Sequence, residues 1–223
     1  MKAYSLVKKN LLSQGLLPLF FHPDPAVSIE VLRALYRAGI RITEYTNRGS
    51  EAPENYSKLL RVRDHEMPDL ILGVGTIKET RTALKYLDLG ADFLVSPNTD
   101  LDLIQYASVH GIFHLPGCMT PSEIAAAGNA GATFIKLFPG NILGPGFIGS
   151  IRDIFPELQF MPTGGVDPNS ESISSWFAAG AKAVGMGSKL ISKKLMDQGE
   201  YQQIENNTKQ VLQILKKIQS NDF

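Results

Sequence analysis

Short apolar runs alternate along the chain with longer stretches whose apolar residues recur at helical spacing, a pattern of strand then helix. The first run, Leu16 to Phe21, follows a short amphipathic segment that reads as an N-terminal helix. Next come a helix from Pro25 to Ala38, stopped by Gly39, a second strand from Ile40 to Thr46 and a helix from Pro53 to Glu66. Leu70 to Thr76 is the third strand, with a helix from Glu79 to Leu89; Phe93 to Ser96 is the fourth, with a helix from Asp100 to His110. Ile112 to Leu115 is the fifth. Its helix opens at Thr120-Pro121-Ser122-Glu123, a capping box with proline at the first helical position. The sixth strand is Phe134 to Pro139 and its helix runs from Pro145 to Ile154; the seventh is Gln159 to Pro162, with a helix from Ser170 to Ala179. Ala183 to Met186 is the eighth strand, and Tyr201 to Ile218 a last amphipathic helix.

Eight such units predict a (β/α)8 TIM barrel with an N-terminal helix, a single domain over 1–223. Near-continuous apolar strands fit a parallel sheet covered by helices. The competing architecture is an open doubly wound sheet. It is disfavoured because His22-Pro23-Asp24-Pro25, not a glycine-rich dinucleotide turn, follows the first strand.

Composition narrows the partners. The 22 basic and 22 acidic residues balance, so neither nucleic acid nor an anionic membrane is the expected partner. The single cysteine, Cys118, allows no internal disulfide and fits a reducing, cytoplasmic setting. No segment reads as a membrane span; the apolar stretch near the start is short, broken by Pro18, and lacks a small-residue cleavage site.

One position conflicts with the apolar pattern. Lys136 stands inside Phe134-Ile135-Lys136-Leu137-Phe138-Pro139. A buried amine is costly unless paired or used. It reads either as half of a buried ion pair or as a desolvated nucleophile able to form a Schiff base with a ketone. In a barrel, active residues gather at the C-terminal ends of strands. There the second strand places Glu44, Thr46 and Arg48 with one parity. Glu44 suits proton transfer and Arg48 a carboxylate or phosphate; an internal Glu44–Arg48 or Glu44–Lys136 ion pair is the alternative. Gly73 and Gly75 allow close approach to a ligand, and Thr76 either binds a carboxylate or caps the next helix. Thr99 reads as a helix cap, and Cys118 as a small packing residue. Thr163-Gly164-Gly165 after the seventh strand and Gly185-Met186-Gly187-Ser188 after the eighth stand where barrels bind phosphate. His22, His65, His110 and His114 have no metal-site spacing, His114 reads as a core residue, and no metal is implied.

Together these segments resemble the 2-keto-3-deoxy-6-phosphogluconate / 4-hydroxy-2-oxoglutarate aldolases, class I (Schiff-base) enzymes, from about Leu16 to Leu190. The segments that carry the resemblance are Glu44-Tyr45-Thr46-Asn47-Arg48, Gly73-Val74-Gly75-Thr76, Ser96-Pro97-Asn98, Pro116 through Glu123, Ile135 through Pro139, Pro162 through Val166 and Gly185 through Ser188. The resemblance implies a cofactor-independent carbon–carbon lyase of sugar-acid breakdown, of the Entner–Doudoroff type, acting on a small 2-keto acid as a homotrimer. It assigns Lys136 as the Schiff-base lysine and Glu44 as the general acid/base. Arg48 and Thr76 would hold the pyruvyl carboxylate, and Pro116, Gly117 and Phe138 would form the pocket wall. Thr163 would lie near the substrate hydroxyls, and Gly164, Gly165, Gly187 and Ser188 would form the phosphate site. Asn47 and Gly49 depart from the family's usual residues beside the arginine.

Overall fold

The computed structural model describes residues 2–221. In chain order its elements are α1 (Tyr4–Gln14), β1 (Leu16–Phe20), α2 (Pro25–Ala38), β2 (Ile42–Thr46), α3 (Ala52–Glu66), β3 (Ile71–Gly75), α4 (Thr80–Leu89), β4 (Leu94–Val95), α5 (Leu101–Val109), β5 (His114–Leu115) and β6 (Gly117–Cys118). There follow α6 (Pro121–Asn129), β7 (Phe134–Leu137), α7 (Gly140–Leu143), α8 (Pro145–Ile151), β8 (Gln159–Pro162), α9 (Ser170–Ala179), β9 (Val184–Met186), α10 (Lys193–Asp197) and α11 (Tyr201–Asn221). The strand-then-helix reading therefore holds along the chain. The short α7 and α10, too brief to show periodicity, are additions to it, and the helix expected to reach Ile154 ends at Ile151.

Every strand pairing is parallel. A curled six-stranded sheet runs in the order β5-β4-β3-β2-β1-β9, and a three-stranded sheet in the order β6-β7-β8. Pro116 explains the split of the expected fifth strand. It has no N–H to give to a ladder. Before it, His114 and Leu115 pair with Leu94 and Val95; after it, Gly117 and Cys118 pair with Lys136 and Leu137. At the other edge an isolated parallel bridge joins Thr163 to Gly185.

Strand alternation sorts the apolar residues into two layers. One cluster lies between strands and helices and includes Tyr45, Val74, Ile135, Leu137 and Trp176. The other collects the opposite parity: Leu17, Ile42, Ile71, Phe93, Val95, Phe113, Leu115, Phe134, Met161 and Ala183. Val7 and Leu11 of α1 join this inner cluster, and Tyr4 meets Phe113 edge to face at 5.2 Å. The N-terminal helix thus covers one end of the inner layer. Glu44 and Lys136 have the inner parity and lie one step along their strands from Ile42 and Phe134.

Local chemistry sets several boundaries. Asp24 caps α2 by accepting the Ala26 N–H at 2.7 Å, and Pro25 suits its first position. The expected capping box of α6 is present, with Thr120 and Glu123 satisfying each other's backbone donors. Thr99, read as a cap for α5, is not one. Asp100 takes that place by accepting the Leu103 N–H at 3.0 Å, while the Thr99 hydroxyl donates to the Gly117 carbonyl at 2.8 Å.

Candidate functional site

Lys136 is level with Gly117 on one side and Met161 on the other, and its own N–H donates to the Pro116 carbonyl at 2.9 Å. Its side chain is only 5 % exposed. Burial depresses the ammonium pKa, with Glu44 working against the shift and Arg48 reinforcing it. The amine stands 4.9 Å from the centroid of the Phe138 ring, over its face.

Glu44 is 1 % exposed, level with Leu19 on one neighbouring strand and Gly73 on the other. Burial raises its carboxyl pKa, and the charges of Lys136 and Arg48 moderate the rise. One carboxyl oxygen, Oε2, is buried without a hydrogen-bond partner. Among the described residues neither Glu44 nor Lys136 forms a salt bridge within 4.0 Å, so the internal ion-pair alternative is not what the fold builds. Both groups are driven toward their neutral forms, an amine and a carboxylic acid. In those forms an amine can act as a nucleophile and a carboxylic acid as a proton donor.

The two glycines of β3 make room for protein side chains, Gly75 for Glu44 and Gly73 for Phe93, where the sequence suggested close approach to a ligand. A Cβ on Gly75 would fall 1.6 Å from Glu44 Oε1, and one on Gly73 would fall 2.4 Å from the Phe93 ring. Glu44 can extend across its neighbour strand only because position 75 has no side chain.

Arg48 lies past the end of β2, exposed, with its side chain in no ion pair among the described residues. The departures beside it have local reasons. Asn47 accepts a hydrogen bond from the Tyr86 hydroxyl at 2.9 Å, and a Cβ on Gly49 would press to 2.7 Å from the Phe21 ring. Thr76 is half-buried in the left-handed region at φ 62°, and the N-cap of the following helix is Glu79, so Thr76 does not cap it. Pro116 and Gly117 are buried; a Cβ at Gly117 would fall 2.5 Å from the Pro97 backbone. The Thr163 hydroxyl is buried and unpartnered, and Gly185 leaves room for it, since a Cβ there would come within 2.3 Å of Thr163 Oγ1.

A cavity of about 470 Å³ opens above these groups. Arg48, Phe138, Thr163, Gly164, Gly165, Gly187 and Ser188 line it; Lys136, Glu44, Thr76, Pro116 and Gly117 do not. The buried pair meets this lining through Phe138, whose ring faces the Lys136 amine, and through Leu19, which is level with Glu44. The sequence reading omitted His22, Lys189 and Lys193, which also line it. Their position after β1 and β9, neighbours at the sheet edge, is the signal that marks them. Cys118 and His114 stay outside. Burial pushes the Cys118 thiol up to about 11. His114 faces away from the inner layer, its Nε2 bonded to Ser96 Oγ at 2.8 Å and its pKa driven down to about 3 by burial. Among the described residues no group of three or more His, Cys, Asp or Glu side chains is arranged to hold a metal ion, and no helix is long and apolar enough to cross a membrane.

The parallel α/β sheet thus carries a buried lysine and a buried carboxyl near a cavity whose charged side chains are cationic. The family model for KDPG and KHG aldolases matches residues 7–207, and the chain belongs to that family. It is accordingly an aldolase, a lyase. A 2-dehydro-3-deoxy-phosphogluconate aldolase of Pseudoalteromonas atlantica is 31 % identical over 171 residues, 76 % of this chain and 78 % of that protein. A probable 2-dehydro-3-deoxy-6-phosphogalactonate aldolase of Rhizobium meliloti is 35 % identical over 134 residues, 60 % of this chain and 62 % of that one. The fold matches a Legionella pneumophila KDPG aldolase, solved with pyruvate captured as a covalent carbinolamine, at a TM-score of 0.83 and 22 % identity, covering 95 % of this chain and 98 % of that one.

Proposed function

We propose that the chain is a Schiff-base aldolase that cleaves 2-keto-3-deoxy-6-phosphogluconate to pyruvate and glyceraldehyde 3-phosphate, 4-hydroxy-2-oxoglutarate to pyruvate and glyoxylate, or both. The observation that carries this reading is a lysine and a carboxyl buried on the inner parity of their strands, Lys136 5 % and Glu44 1 % exposed, with burial pressing each toward its neutral form. Lys136 Nζ adds to the C2 carbonyl of the keto acid, and Glu44 donates the proton with which the carbinolamine loses water. The iminium is then the electron sink. Glu44, now a carboxylate, takes the C4 hydroxyl proton. The C3–C4 bond breaks, its electron pair forms the enamine, and the aldehyde departs. Protonation at C3 and attack by water release pyruvate and regenerate the amine.

The residues that the resemblance assigns to substrate binding take the remaining parts, although Thr76, Pro116 and Gly117 lie outside the cavity lining. Arg48 and Thr76 take the keto-acid carboxylate, Pro116, Gly117 and Phe138 enclose the lysine, and Thr163 offers its unpartnered hydroxyl to the substrate hydroxyls. The turns at Gly164, Gly165, Gly187 and Ser188 receive the phosphate. On this reading the two sheets are parts of one (β/α)8 TIM barrel, joined through the strand around Pro116 and through the Thr163–Gly185 bridge. The family resemblance adds a homotrimer, and the single cysteine a cytoplasmic setting. Light scattering at working concentration reads the assembly directly.

The test of the chemistry is borohydride in the presence of pyruvate. Irreversible inactivation with the mass increment on Lys136 is expected; labelling elsewhere, or none, removes the mechanism. A second substrate reading, a 6-phosphogalactonate-type acid, is favoured by the Rhizobium meliloti relative. The two acids differ in configuration at C4, so comparing their cleavage rates separates them.

A further inference from the structure

The outer part of the cavity is built from groups that the bond-breaking steps do not require. Beyond Gly187 and Ser188 its wall is Lys189 and, on α10, Lys193; His22 and Pro23, from the turn after β1, also line it. No Asp or Glu is among the described residues that line it, so its charged side chains are Arg48, Lys189 and Lys193. Both lysines rest on carboxylates outside the lining. Lys189 Nζ is 2.8 Å from Asp167 Oδ1, and Lys193 Nζ is 2.5 Å from Asp197 Oδ2.

The remaining oxygen of Asp197 is held from the opposite side, by His22 Nε2 at 3.2 Å. The Asp24 N–H donates to His22 Nδ1 at 3.1 Å, which leaves the ring proton on Nε2, directed at Asp197. The turn that carries the ring is pinned. The His22 carbonyl accepts from the hydroxyls of Ser28 and Tyr45, each at 3.0 Å, and the Pro23 carbonyl accepts from Asn55 Nδ2 at 2.7 Å. Asp197 thus has a second partner on an anchored turn, whereas the lysine side chains, 61 % and 81 % exposed, have only their aspartates. Exposed ion pairs of this kind are weak and exchange readily. A dianion seated on the glycine turns can draw both ammonium groups away from their aspartates.

We infer that Lys189 and Lys193 are specificity-determining residues, which select a substrate bearing a phosphate ester at the end remote from its keto acid, and that Asp167 and Asp197 hold them in the free enzyme. The inference rests on the reading above, in which Arg48 takes the carboxylate end and the glycine turns the other. It assigns the preference for a phosphorylated substrate to two side chains, beyond the backbone groups of the turns.

The test compares kcat/KM for 2-keto-3-deoxy-6-phosphogluconate and for its unphosphorylated counterpart in Lys189→Met, Lys193→Met, the double variant and Asp197→Asn. Each lysine replacement should lower the phosphorylated-to-unphosphorylated ratio about tenfold, through KM. Asp197→Asn should raise it, because Lys193 is freed. Added salt should erode the ratio in the unmodified enzyme and much less in the double variant. An unaltered ratio in the double variant, or Asp197→Asn and Lys193→Met moving the ratio in the same direction, overturns the inference. Borohydride trapping of pyruvate reads the reaction centre separately. Loss of trapping in the unmodified enzyme defeats the imine reading, whereas trapping with an unaltered ratio defeats only the lysine assignment.

Discussion

Replacing Gly75 by alanine adds one methyl group to a strand and, by the geometry around it, disables a carboxyl group on the next strand. The new Cβ would stand 1.6 Å from Glu44 Oε1 and 2.3 Å from its Cδ, where ordinary contact begins at 3.4 Å. The carboxyl must therefore retreat by nearly 2 Å. Misplacement of a reacting group by about 1 Å costs on the order of 10²-fold in rate, and general acid–base catalysis contributes about 10²–10⁴-fold in all. Turnover of 2-keto-3-deoxy-6-phosphogluconate, followed as pyruvate release in a coupled assay, should fall at least 10²-fold. Borohydride trapping of pyruvate on Lys136, left to reach its end point, should persist. The backbone at Gly75 is not in the left-handed region, so the cost in stability is that of overpacking, about 1–3 kcal/mol. Gly73→Ala is the contrasting variant. Its Cβ meets the Phe93 ring at 2.4 Å instead of Glu44, so it should lose comparable stability and far less activity. A folded Gly75→Ala enzyme with turnover within twofold of the unmodified one would refute the reasoning.

Three further outcomes are expected. Glu44→Gln, similar in shape but without a proton to exchange, should lose about 10²–10⁴-fold in turnover while still trapping pyruvate; turnover like that of the unmodified enzyme would remove Glu44 from proton transfer. Acid should weaken the fold through His114, whose pKa falls from 6.5 to about 3 on burial. Between those values the unfolded chain binds the extra proton, so stability rises with pH across the window, by at most about 1.4 kcal/mol per unit. His114→Gln should flatten that part of a melting-temperature profile, and an unaltered slope would clear His114 of the effect. Finally, Asp92 lies buried with Arg63 Nη1 at 2.5 Å, the Leu72 N–H at 3.1 Å and the Lys2 N–H at 2.9 Å. Asp92→Ala leaves that guanidinium only the exposed Asp64, at 2.6 Å, and strips the acceptor from two backbone N–H groups, so it should cost about 1–3 kcal/mol in a denaturant titration; a loss below about 0.5 kcal/mol contradicts the pairing.

The parts of this molecule that were legible in its sequence are those governed by short-range periodicity. Alternation placed Glu44 on the inner parity of β2, and a lone charge in an apolar run singled out Lys136. Proline and a threonine–glutamate box fixed the start of α6. What escaped depends on which strands become neighbours. Pro116 divides one expected strand because its two sides pair with different partners. Thr99 resembles a cap, yet Asp100 is the better placed acceptor and the Thr99 hydroxyl turns to Gly117. Gly75 looked like room for a ligand and is room for Glu44. His22, Lys189 and Lys193 carry no local signal, because only the pairing of β1 with β9 brings their loops to one cavity.

The helix at the start of the chain has a kinetic consequence. Val7 and Leu11, fully buried against the inner cluster, stop the interior at its far end, so it behaves as a blind well. Traffic through a blind well is last in, first out. On the imine mechanism the pyruvyl fragment is tethered at the floor and the aldehyde stands between it and the mouth. Cleavage must then release aldehyde before pyruvate, and the synthetic direction must load pyruvate first. Ordered steady-state inhibition, with pyruvate alone competing against the substrate for the free enzyme, is the signature that a plugged end imposes.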